Sequence, residues 1–291
     1  MAKIQTFDHC GFVVEDIPRA HKFYGQLFGA KPLWIANLNQ NAYNGWPIIS
    51  FVELGAHRFE LCLATFPLAE SEPEYTLPRI GFVLPHEALS LVEGKLNELG
   101  IAYRQFEYGS DLPIEKTIQL RDPDGNVLDL STWRGHSNGA APGDNGIIPL
   151  TDLSHIALEI TDLEDAKRFY TEVFGMDVLR HEAEDLVLKN AAGQLLLLHK
   201  VERLSPRSRF RGPNAATAPD PDGYCGAHLA MTVASSEDYD DMYAALQAWG
   251  VKSDGDIRAG HRPPGEKSDY FYDPAGNRIQ LVCFAKRAVA A

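Results

Sequence analysis

Short apolar runs alternate with amphipathic stretches in an order that comes round four times. A strand-like run opens each unit: His9-Cys-Gly-Phe-Val-Val14, Arg79-Ile-Gly-Phe-Val-Leu84, His155-Ile-Ala-Leu-Glu-Ile160 and His228-Leu-Ala-Met-Thr-Val233. A stretch of helical period follows each and ends on glycine, at Gly29, Gly100, Gly175 and Gly250. Glycine just past a helix enters the left-handed region without a Cβ clash, so these residues mark four helix C-termini. Asp16, Glu87, Asp162 and Ser236 precede or open the helices and suit N-caps or first-turn positions. Short β patterns complete each unit. In the second and fourth, the last strand is entered through Asp122-Pro-Asp-Gly-Asn126 and Asp273-Pro-Ala-Gly-Asn277, where Pro and Gly shape a tight turn. The pattern predicts an α+β chain of four βαβββ modules.

A closer repeat groups the modules. Ala20-His-Lys-Phe-Tyr-Gly-Gln-Leu-Phe-Gly29 returns as Ala166-Lys-Arg-Phe-Tyr-Thr-Glu-Val-Phe-Gly175. His9 and His155 stand at matching positions ahead of the two copies. The chain therefore reads as two halves, and modules are expected to pair within each half. That places one domain at 1-135, a Gly-, Asn-, Ala- and Pro-rich linker at 136-150, and a second domain at 151-291. A loose segment at 201–223, with several arginines and prolines and no periodicity, reads as a covering loop or a solvated surface loop.

Composition narrows the function. The 291 residues are 45% hydrophobic and 23% charged, ordinary for globular domains with real cores. A net charge of −13 argues against nucleic acid as a partner, because phosphate binding needs a basic face. No run is apolar enough to span a bilayer, and the N-terminus has no long apolar signal segment. Cys10, Cys62, Cys225 and Cys283 are scattered, which speaks against a disulfide framework and suits a reducing cytoplasm.

Taken together, the phrase Phe-Tyr-x-x-x-Phe-Gly and the turn Asp-Pro-x-Gly-Asn resemble the vicinal oxygen chelate superfamily, which contains glyoxalase I, bleomycin-resistance proteins and type I extradiol dioxygenases. The resemblance covers nearly the whole chain, and its two-domain size is closest to the extradiol enzymes. It implies paired modules forming cupped mixed sheets, with metal ligands on the first and last strand of each module. In the first half those positions are His9, Glu60, Arg79 and Asp129. Arginine stays charged and does not ligate, so an internal salt bridge from Arg79 to Glu60 or Asp129 is expected there. A metal held by His9, Glu60 and Asp129, with Arg79 turned away, is the alternative. In the second half the positions are His155, Leu196, His228 and Gln280. The resemblance thus implies a centre of His155, His228 and Gln280 holding Fe(II), with Mn(II) or Zn(II) as other candidates. It gives His261 the role of a hydrogen-bond donor or acid near the bound oxygen. Tyr270 would hydrogen-bond a substrate oxygen.

Gln280 departs from the family's glutamate. A neutral ligand should lower metal affinity, acidify bound hydroxyls and make the metal harder to oxidise. His199 lies on the opposite face of its strand from the ligand slot and receives no role. Three functions follow for test: an extradiol-type dioxygenase acting on a chelating catechol or hydroquinone, a non-oxidative metalloenzyme such as an isomerase, lyase or dehalogenase, and a ligand-binding resistance protein without chemistry. The expected partner is a small aromatic molecule. Self-association is left open, since pairing within one chain removes one reason to dimerise.

Overall fold

The computed structural model describes residues 2–36, 49–54, 57–63, 78–135, 147–204, 228–251, 253–255 and 265–284. Twenty regular elements form the four expected modules. The first is β1 (Thr6–Val14), α1 (Ile17–Phe28), β2 (Lys31–Ala36), β3 (Ile49–Leu54) and β4 (His57–Leu63). The second is β5 (Arg79–Val83), α2 (Leu89–Glu98), β6 (Tyr103–Glu107), β7 (Ile114–Arg121) and β8 (Val127–Trp133). The third is β9 (Asp152–Ile160), α3 (Leu163–Glu172), β10 (Asp177–His181), β11 (Asp185–Lys189) and β12 (Leu195–Lys200). The fourth is β13 (Leu229–Thr232), α4 (Ser236–Ala248), β14 (Ser253–Gly255), β15 (Lys267–Tyr272) and β16 (Arg278–Cys283).

The helices begin and end where side-chain chemistry allows. Asp16 accepts the Arg19 backbone N–H, Asp162 accepts that of Asp165, and Ser235 accepts that of Asp238. The cap of α4 is thus Ser235, and Ser236 is the first helical residue. Glu87 lies in a short 3-10 turn ahead of α2. Gly29, Gly100, Gly175 and Gly250 all take positive φ, between 61° and 82°.

The strand ladders, however, join modules across the halves. β1 runs antiparallel to β13, with Phe7 opposite Met231 and His9 opposite Ala230. β5 runs antiparallel to β9, with Arg79 opposite Ala157 and Gly81 opposite His155. Module one therefore shares a sheet with module four, and module two with module three. The two eight-stranded orders are β14-β15-β16-β13-β1-β4-β3-β2 and β10-β11-β12-β9-β5-β8-β7-β6. The compact units nonetheless keep to the halves, apart from the first residues of the chain: one is Met1–Cys10 with Leu158–Ala291, the other Gly11–Ala157. The reason for the crossed ladders is physical rather than accidental. Strand pairing is set by backbone ladders and burial, and nothing in the local pattern of β1 favours β5 over β13.

The repeated motifs prove to be bonded to each other. Tyr24, on α1, donates its phenol to Asp122 Oδ2 at 2.9 Å. Asp122 Oδ1 accepts the backbone N–H of Asp124 and Asn126, and Asn126 Nδ2 donates to Val13 O at 3.1 Å. The second copy repeats this: Tyr170 donates to Asp273 Oδ2 at 3.0 Å, Asn277 N donates to Asp273 Oδ1, and Asn277 Nδ2 donates to Glu159 O. Each clamp ties a helix and first strand to the last turn of the next module. Module one is clamped to two and three to four, whereas the sheets join one to four and two to three. Burial pushes the Asp122 carboxyl up to about 6 against the opposing pull of its hydrogen bonds.

Candidate metal centre

Crossed pairing regroups the ligand-slot residues. The β1–β13–β16–β15 ladder aligns His9 with Ala230, Ala230 with Gln280 and Gln280 with Tyr270. His228 precedes Ala230 by two residues, so its side chain shares that face. The His9 and His228 rings meet edge to face, with Nε2 atoms 3.2 Å apart. His9 Nδ1 donates to Asp8 Oδ2 at 2.6 Å, which aims the other nitrogen at His228. The Tyr270 ring stands at 81° to that of His228, centroids 5.2 Å apart. His9, His228, Gln280 and Tyr270 are all buried.

Gln280 decides how this cluster reads. Its Nε2 donates to Ser268 Oγ at 2.8 Å, while its buried Oε1 has no hydrogen-bond partner among the described residues. A buried orphan acceptor costs roughly 1–3 kcal/mol and calls for an explanation. A cation facing Oε1 would satisfy it. Two nitrogens sharing a divalent ion with bonds of ~2.1 Å lie about 3.0–3.4 Å apart at angles between 90° and 109°, and the Nε2 pair fits that range. Among the described residues no three His, Cys, Asp or Glu converge as a metal-holding group. The third donor here is an amide oxygen, and Glu60, on the neighbouring strand β4, has its side chain outside the described set.

His155 belongs to a different cluster. Its Nε2–H donates to Asp129 Oδ2 at 3.0 Å, Arg79 Nε lies 2.9 Å from the same oxygen, and Gln119 Nε2 donates to Asp129 Oδ1 at 2.9 Å. Trp133 Nε1–H donates to Ser154 Oγ, which donates in turn to His155 Nδ1. Burial would raise the Asp129 carboxyl, but Arg79 and His155 outweigh it and hold Asp129 below the usual range. Burial pushes the His155 imidazole below its usual range despite Asp129. The cluster is thus a carboxylate, a guanidinium and a neutral imidazole, with the arginine as its cation. Gly81 leaves room for it, since a Cβ there would fall 2.2 Å from the His155 ring.

The expected trio of His155, His228 and Gln280 is therefore corrected: His9 stands beside His228, and His155 is engaged by Asp129. The expected Arg79–Asp129 salt bridge is present. His261, the 205–223 part of the loose segment and the 136–146 part of the linker lie outside the described residues. His199, on β12, is paired with Asp185 on β11. The sequence did hold a signal for the regrouping. Pairing within halves leaves one non-ligand in each set, Arg79 and Leu196. Crossed pairing gathers both into one set and leaves His9, Glu60, His228 and Gln280 all able to ligate.

The model of the Glyoxalase/Bleomycin resistance protein/Dioxygenase superfamily matches residues 6–130 and 152–281. The chain belongs to this superfamily. It is 32% identical over 226 residues to the catechol-2,3-dioxygenase of Bacillus subtilis, covering 66% of this chain and 74% of that protein. It is 29% identical over 133 residues to the metallothiol transferase FosB of Staphylococcus epidermidis, covering 44% of this chain and 81% of that protein. The fold matches a putative dioxygenase from B. subtilis with a TM-score of 0.70 at 12% identity, over 97% of this chain and 86% of that one. It matches glyoxalase I of Zea mays with a TM-score of 0.61 at 16% identity, over 97% and 92%. As a superfamily member the chain also has no helix, among the described residues, long and apolar enough to cross a membrane.

Proposed function

We propose that the chain is a divalent-metal enzyme whose centre is held by His9, His228 and Gln280, acting on a catechol- or hydroquinone-type ring that presents two oxygens. The observation that carries this is the buried Gln280 Oε1, without a hydrogen-bond partner among the described residues, on the same face as the Nε2 pair. The metal, Fe(II) on this reading, would supply Lewis acidity to the chelating oxygens and a route to O2. The chain's own residues do the rest. Asp8 fixes the His9 tautomer so that Nε2 keeps its lone pair. Ser268 turns the Gln280 amide so that its oxygen faces inward. Tyr270 lies within the cluster and donates a phenol hydrogen bond to a substrate oxygen without itself ionising. Burial of all four side chains excludes water and strengthens these interactions.

The resemblance to a catechol-2,3-dioxygenase favours extradiol ring cleavage. One observation favours a second reading: Gln280 is neutral, and a less oxidisable centre suits enolate or phenolate chemistry without O2. Oxygen uptake by Fe(II)-loaded protein with a panel of catechols and hydroquinones tests the first. Turnover of the same panel under argon marks the second. Loss of metal binding in both His9→Ala and His228→Ala, with His155→Ala retaining it, is required by either; retention in the first two refutes the centre.

A further inference from the structure

A cavity of about 530 Å³ lies where module one meets module two, within the Gly11–Ala157 unit. Its walls come from α1, the edge strand β6, the end of β7 and the turn at Asp122. Its described lining contains no residue of the proposed metal centre. The volume falls in the ordinary range for small-molecule sites, roughly 300–1,000 Å³. Phe23 and Tyr103 supply aromatic rings to the lining, and Leu120 adds buried apolar surface. Tyr103 pairs with Leu120, and Arg104 with Gln119. Arg121 stands two residues beyond Gln119, so Arg104 and Arg121 are diagonal neighbours on one face. Tyr103 leaves the other face, and both faces reach the cavity because β6 is the outermost strand of its sheet.

The two guanidiniums oppose each other. Burial first, and then the charge of Arg104, hold Arg121 below its usual range against the pull of Asp122. Arg121 Nη1 donates to Gly125 O at 3.2 Å. Arg104 is exposed, and its guanidinium enters no ion pair among the described residues. Asp122 also lines the cavity, but its oxygens are engaged by Tyr24, by Asn126 and by the backbone N–H of Asp124. We propose that this cavity is a second ligand site, for a small aromatic molecule that carries one carboxylate. The aromatic walls hold the ring, and Arg104 offers the planar fork of donors that a carboxylate matches. Phe23 packs edge to face on Tyr24, ring centroids 5.3 Å apart, and Tyr24 with Asp122 clamps module one to module two. A bound ligand therefore braces that seam, whatever the metal centre does.

Calorimetric titration of the full chain, as purified, with 2-naphthoate and with neutral 2-naphthol tests it. Naphthoate is expected to bind roughly 5- to 10-fold more tightly, the scale of a charge-assisted hydrogen bond to an exposed guanidinium. The melting temperature should rise with naphthoate concentration, as linkage requires. Arg104→Met should bring the ratio of affinities to about one. Ala102→Trp fills the cavity from an exposed lining position and should abolish binding of both probes. Both substitutions are at exposed positions, so the fold should persist. Absence of saturable naphthoate binding, equal affinities in wild type, or binding untouched by both substitutions overturns the site. Binding that is lost in His9→Ala and kept in Ala102→Trp assigns the probe to the metal centre and overturns it equally.

Discussion

Replacing Gln280 by Glu should enlarge the effect of metal on stability. Among the described residues the wild-type amide bonds only to Ser268 and leaves Oε1 buried without a partner. Ser268 Oγ can reverse its role and donate to a carboxylate, so the variant keeps that bond. The new oxygen brings a negative charge to a site that is 3% exposed. Without metal, an ionised carboxylate there is poorly solvated and costs at least the 1–3 kcal/mol of a buried unsatisfied polar group. With metal, the same charge opposes the cation directly. Changes beside a metal shift affinity by about 10- to 100-fold, or roughly 1.4–2.7 kcal/mol, and a change in the ligand itself should reach at least that. The metal-stripped variant should therefore melt below stripped wild type. Under Mn(II) or Zn(II) it should gain more on loading than wild type does, as linkage requires. Melting curves across a metal titration read both limbs. Unchanged or weaker metal affinity in Gln280→Glu would refute Gln280 as a ligand.

Three further outcomes follow. Arg79→Met strands the buried Asp129 carboxylate and should cost about 3–5 kcal/mol in chemical denaturation; adding Asp129→Asn should recover part of it, with metal content unaffected throughout. Gly81→Ala, with its Cβ 2.2 Å from the His155 ring, should destabilise by roughly 1–3 kcal/mol or more. Asp122 titrates at about 6 in the folded protein against 3.8 for the free side chain, so the folded state holds the extra proton. Its contribution is complete below pH 3.8 and lost as pH rises through about 6, a change of roughly 3 kcal/mol at most. Subtracting the stability–pH curve of Asp122→Asn from wild type should isolate that fall; a difference that is flat or rises with pH refutes the assignment.

The modules were legible because each rests on local chemistry. A strand run, a capped amphipathic stretch and a glycine at positive φ can be read without knowing neighbours. His228, Gln280 and Tyr270 were legible for the same reason, since β13, β15 and β16 sit in one module. His9 was not, because its partner strand is decided by a long-range ladder that leaves no local mark. The Tyr24–Asp122 and Tyr170–Asp273 clamps were visible as two repeated motifs but not as one interaction, since their partners lie about a hundred residues apart. The Arg79–Asp129 pair could be foreseen, because a guanidinium in a ligand slot needs an anion. That His155 would join it required the true pairing.

His9 and His228 are 219 residues apart in the chain. Closing so long a loop adds entropy cost that grows with the logarithm of its length, and contacts of such high order form late. During synthesis, the segment carrying His9 must wait, unpaired on that side, until the ribosome has delivered the last quarter of the protein. The other pairing, β5 with β9, is available much earlier. The proposed centre is therefore the last part of the molecule to exist, and a chain cut after its third module would hold a finished salt-bridged cluster and only His9 of the three proposed ligands.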